Sequence, residues 1–381
     1  MRKTLRFWAL AAVVACAATV GGCAAKTESL LPTGQLADNQ LTVFWKAQLH
    51  LNERPRETVS HLYRTGNRIF AMTSANRLLA VDAFSGHFLW SVDLGSPELT
   101  PTDVYQVGHV VFVCLFDRLY GFSVEDGSRV LNRELKRAPS TRPVVSTEYV
   151  YFGTHQGWLD ALALFAAGSS WNHLTHTGII AAPVYDASRV YYANADGRVF
   201  ASVASRREPV WTYQTNGAVV ADLKLTGQGL VLVASRDYVL YALNPITGDV
   251  AWMATTGDPL ETTPQVIGGR VYVVKRGGTL MAFEEVAGQT LWTAEGIDRT
   301  IAASPMTLFV LRDDGTIAAL STSKGEEQCR LDPGDVALVA TNDIDGQLFV
   351  ASRDGRIMAI REAKVKYNDP ASGEDASTEA E

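Results

Sequence analysis

The residues able to do chemistry are scattered along this chain. His173 and His176 stand three apart, a spacing that lets two imidazoles face one metal ion. No cysteine or carboxylate lies nearby at ligand spacing, so the pair predicts no metal site. Asp196, Asp237, Asp314 and Asp354 form a carboxylate series, and carboxylates are common general acids and bases. Each, however, lies in a turn between two apolar runs, where an Asp side chain accepts local backbone hydrogen bonds. They read as solvated turns. Arg276-Gly277-Gly278 is too short for a phosphate cradle and has no helical pattern after it. Neither Gly-x-Ser-x-Gly nor His-Glu-x-x-His occurs. No catalytic, cofactor-binding or metal-binding residue is predicted, and no cofactor.

The elements that would position these residues follow a repeat. In 264–296 four short strands are predicted: Gln265–Ile267, Val271–Val274, Thr279–Phe283 and Thr290–Ala294, here lettered A to D, with glycine-rich or charged turns between them. Such a sheet has two apolar faces to bury, and stacking copies of itself does so. The B–C turns recur at Asn76, Asp117, Gln156, Asp196, Asp237, Gly277, Asp314 and Asp354, about 40 residues apart, which is the period of a propeller blade. Strand D is marked by Trp90, Trp171, Trp211, Trp252 and Trp292, with Leu131 and Cys329 in the two weaker copies. The seventh repeat reads from Met306 to Cys329 and the eighth from Val336 to Ile360, with no strand D after it. Thr42–Leu49, carrying Trp45, has that character. The chain is therefore expected to be all-β, an eight-bladed propeller over 42–363, closed by its N-terminal strand so that two aggregation-prone edges disappear. The six tryptophans are expected to pack between blades.

The ends differ in character. Residues 1–22 carry Arg2, Lys3 and Arg6, then an apolar run from Phe7 to Val20, and read as a secretory signal. Val20-Gly21-Gly22-Cys23 resembles a bacterial lipobox, which implies acylation of Cys23 and a membrane anchor. Ala24 in place of an Asp implies, by resemblance to enteric-type sorting, the outer membrane on its periplasmic face. Residues 23–41 read as a flexible tether, and 364–381 as an acidic disordered tail. The formal charge of −7 becomes −10 without the three basic leader residues, which argues against nucleic acid as a partner. Cys114 and Cys329 fall on distant repeats and are expected to be buried free thiols.

The segments 78–90 and 241–252 resemble the pyrroloquinoline-quinone-type repeat, Ala-x-Asp-x-x-Thr-Gly-x-x-x-Trp, and 282–292 repeats it with Gly288. Quinoprotein dehydrogenases share that repeat, with a cofactor, Ca²⁺ and an Asp base over the channel, but this chain is shorter and has no vicinal Cys pair. Its architecture of lipobox, tether and eight blades is similar to the propeller lipoproteins of the outer-membrane barrel-assembly machinery, the BamB type. That resemblance implies a non-catalytic scaffold in β-barrel assembly and a barrel-assembly component, or another envelope protein, as partner. In that family a Leu-x-Leu-Arg segment before an Ala-Pro meets the barrel component. Here the equivalent loop holds His173, Thr175, His176 and Thr177 ahead of Ala182-Pro183, so the contact residues do not carry over. Val219-Val220-Ala221 stands where acidic residues are expected in the next loop.

Overall fold

The computed structural model describes residues 29–53, 56–99, 101–164, 169–363 and 365. The expectations for the leader 1–22, for Cys23 and for the tail beyond 365 lie outside them. The described chain is eight four-stranded antiparallel sheets and one short helix. Blades one to seven are continuous in sequence, over 59–93, 105–134, 144–174, 184–214, 224–255, 265–294 and 297–331. The eighth pairs Leu41–Gln48 with Arg356–Glu362, Leu348–Ala351 and Leu338–Val339, so the first strand closes the ring.

Burial follows strand position. Middle strands have neighbouring blades on both faces and read as continuous apolar runs; Arg68–Thr73 and Arg77–Asp82 are buried along most of their length. The outer strand Phe88–Asp93 buries little beyond Trp90. One register recurs across strands B, C and D: Phe70, Ala80 and Trp90 stand abreast, as do Tyr191, Ala201 and Trp211, Tyr272, Ala282 and Trp292, and Phe349, Ala359 and Trp45. A small central residue lets the two rings meet, at 5.8 Å between Phe70 and Trp90.

Each of the six strand D tryptophans is fixed by the next blade. Trp45, Trp90, Trp171, Trp211, Trp252 and Trp292 donate their indole N–H to the carbonyls of Ala83, Val124, Ala204, Pro245, Glu285 and Thr322, at 2.8–3.1 Å. Five of the rings lie on a glycine with φ near +70°: a Cβ built on Gly127 would fall 2.6 Å from Trp90, one on Gly288 2.3 Å from Trp252. Glycine is required there both by conformation and by space.

Two expectations are corrected. The flexible tether of 23–41 does not hold for its second half. Leu30 and Leu31 are buried, a helix runs over Thr33–Asp38, and Leu36 is buried on it, all packed with Ile301, Phe309, Leu331 and Met358 between blades seven and eight. That seam has Cys329 where six others have tryptophan, and the leucines supply apolar volume there. Three leucines in a polar stretch were the available signal. The seventh blade also begins earlier than Met306. Its strand A is Ile297–Ala303, with register shifts after Ile297 and after Thr300 that break the two-residue alternation.

Candidate functional site

Each loop from strand D to the next strand A lies between two B–C turns. Thr175, Thr215 and Thr256 follow a tryptophan by four residues. Their backbone N–H groups donate to Gly157, Gly197 and Tyr238 of their own blade. Their hydroxyls lie 2.7–2.9 Å from those carbonyls and from Thr177, Gly217 and Asp258. From the next blade, Ala195, Arg236 and Arg276 donate to Gly178, Ala218 and Pro259 at 2.8, 2.9 and 3.4 Å. Ile179, Val219 and Leu260, four residues further on, are wholly buried. Three loops pinned on both sides make a continuous polar ledge across blades three to six.

The ledge exposes His176, held at φ +71°, Asn216 and Tyr238. Asp237 is taken up locally, accepting from the Asn216 N–H and the Tyr241 hydroxyl at 2.8 Å each. Arg236 pairs with Glu261 at 2.9 Å and Lys275 with Asp258 at 2.8 Å.

Of the four residues expected in the partner loop, two face inward. His173 Nδ1 is 2.7 Å from the Tyr192 hydroxyl, and its ring meets Tyr192 and Phe200 edge-on. Burial first, and then neighbouring His176, lower its pKa and favour the neutral ring. Thr175 is buried in the loop's own hydrogen bonds, leaving His176 and Thr177 on the turn. His173 and His176 do not converge on a metal position, and no cluster of three or more His, Cys, Asp or Glu side chains suited to a metal occurs among the described residues. Asp314 and Asp354 accept from Thr316 and Arg356 in their turns.

Ion pairing along the axis was not anticipated. Residues in or beside strand A of seven blades line one cavity of about 470 Å³, adjoining another of about 720 Å³ that shares Arg64 and Asp343. Lys224 of blade five meets Asp343 of blade eight at 2.8 Å, Arg142 of blade three lies 3.7 Å from Asp222 of blade five, and Arg64 lies 3.5 Å from Asp345. Burial would raise the Asp343 carboxyl, but Lys224 outweighs it and holds the pKa below the ordinary value. Asp222 also accepts from the Ala182 N–H at 2.7 Å. It follows directly on Val219-Val220-Ala221, so an acid is present at that loop but turned to the axis. These carboxylates are committed to basic partners, and the donor set does not match a quinone site with Ca²⁺ and an Asp base.

The sequence profile of the family described as "Outer membrane protein assembly factor BamB" matches residues 38–213 and 207–380. A relative of that name from Salmonella typhimurium is 24% identical over 341 residues, covering 79% of this chain and 83% of its own. The crystal structure of BamB from Moraxella catarrhalis superposes with a TM-score of 0.67 at 18% identity, over 86% of this chain and 99% of that one. A quinohemoprotein alcohol dehydrogenase from Pseudomonas putida HK5 superposes at 0.61 with 14% identity, over 88% and 78%. At these identities the superpositions speak for the propeller alone.

Proposed function

This chain belongs to the family of the outer membrane protein assembly factor BamB, and on that premise we propose that it is a non-catalytic scaffold, anchored through acylated Cys23 at the periplasmic face of the outer membrane, whose polar ledge binds a barrel-assembly component. The observation that carries this reading is the ledge itself. Loops held by hydrogen bonds from both flanking blades lose little freedom on binding, so a modest polar contact can be productive. His176, Asn216 and Tyr238 are exposed there with no catalytic constellation beside them. The ion-paired axis supports the non-catalytic part, since Asp222, Asp343 and Asp345 already neutralise Arg and Lys.

The test is chemical crosslinking in intact membranes followed by capture of this chain. The barrel-forming assembly component should be among the crosslinked proteins. Reproducible capture of other envelope proteins without it would overturn the assembly reading.

A further inference from the structure

The seam between blades seven and eight departs from five of the others in one coordinated way. At five seams the strand D tryptophan donates to the carbonyl three residues after the small strand C residue of the next blade, and its ring covers a glycine six residues after it. Trp45 with Ala83 and Gly86, and Trp252 with Glu285 and Gly288, are examples, counted from Ala80 and Ala282. In blade eight the same count from Ala359 gives Glu362 and Val365. The strand D residue facing them is Cys329, in register with Ala319 and Phe309. A cavity of about 390 Å³ is lined by Cys329, which stands in the tryptophan's own place, by Phe309, Ala319, Glu362 and Val365, the four positions that surround a tryptophan elsewhere, and by Asp38 to Leu41 of the N-terminal segment.

We propose that this cavity is a binding site for an aromatic side chain, and that its occupant is Tyr367 of this chain. Three observations select it. Val365 lies on the cavity wall, and two extended residues span about 7 Å, so a side chain at 367 can turn back into the space. Tyr367 is the sole aromatic residue after Ile360, and 24–40 contains none. Thr307 and Gln328 also line the cavity, offering hydrogen-bonding partners that suit a phenol better than a purely apolar ring. Docking would place an aromatic at the one seam that joins the two ends of the chain, and would cover the half-buried Cys329 thiol.

Cys329 reports on occupancy. In the full chain, maleimide labelling resolved by mass spectrometry should be slow at Cys329 in the wild type and faster by about tenfold or more in Tyr367→Ala, the factor expected from burying a ring. Tyr367→Trp should restore protection. Cys114, fully buried in blade two, should stay unlabelled in every variant, showing that each has folded. Equal Cys329 rates in wild type and Tyr367→Ala would overturn the proposal. So would protection that survives Tyr367→Ala but is lost when the chain is ended after Val365, because another tail residue would then be the occupant.

Discussion

Leu31→Ala is a mutation that a tether would ignore. Leu31 is 1% exposed, and Leu30 and Leu36 are each 2% exposed in the same cluster. Truncating a buried leucine to alanine costs about 2–5 kcal/mol, depending on how far the site collapses. The segment is anchored by the Asp335 N–H on the Leu30 carbonyl at 3.2 Å and by the Asp332 N–H on the Gln35 side-chain Oε1 at 3.1 Å, so collapse is restricted and the upper half of that range is expected. Against a net stability of about 5–15 kcal/mol this is a large fraction. Urea unfolding followed by circular dichroism should show a lower midpoint at unchanged slope. Asp38→Ser, on the exposed side of the same helix, should move stability by less than about 0.5 kcal/mol. Deleting 29–40 should be as damaging as deleting the closing strand Leu41–Gln48. A Leu31→Ala midpoint indistinguishable from that of Asp38→Ser would refute the assignment of this segment to the core.

Three further outcomes are expected. Trp90→Phe keeps a ring but leaves the Val124 carbonyl without its donor, so it should cost about 1–3 kcal/mol in the same unfolding assay. Burial would raise the Glu57 carboxyl, but hydrogen bonds from Thr73, the Asn52 N–H and Arg77 outweigh it and hold its pKa below the ordinary value. Its contribution is therefore present above the unfolded-state value of about 4.3 and lost as pH falls through the lower folded value. Glu57→Gln should flatten that acid limb of stability against pH. Cys23→Ala should give a folded chain that leaves the membrane fraction on fractionation, since the described propeller contains no helix long and apolar enough to span a bilayer.

The ring was legible because each blade repeats its own punctuation. Trp252 and Gly288 signal one another across a seam, and the missing strand after Ile360 pointed directly to Trp45. What stayed hidden depends on partners distant in sequence. Leu30 and Leu36 pack on Met358, more than 300 residues away, and only the three leucines in a polar stretch and the absence of a tryptophan at 329 hinted at that packing. Ion pairs such as Lys224 with Asp343 join blades that are not neighbours, so no local pattern announces them. In the partner loop it was the position ahead of Ala182-Pro183, by resemblance, that singled out His173 and Thr175. Their spacing from Trp171 carried the better signal, because the same threonine recurs after Trp211 and Trp252 to pin the loop.

The central claim is that the ledge of blades three to six is the partner-binding face. A photoreactive amino acid placed singly at His176, Asn216 or Tyr238, and as controls at Ile246 and Val286 on the opposite turns, would test it in living cells. Crosslinks to the barrel-assembly component from the ledge positions, and none from the two controls, are the expected result. Crosslinks to that component from Ile246 or Val286 with a silent ledge would contradict it.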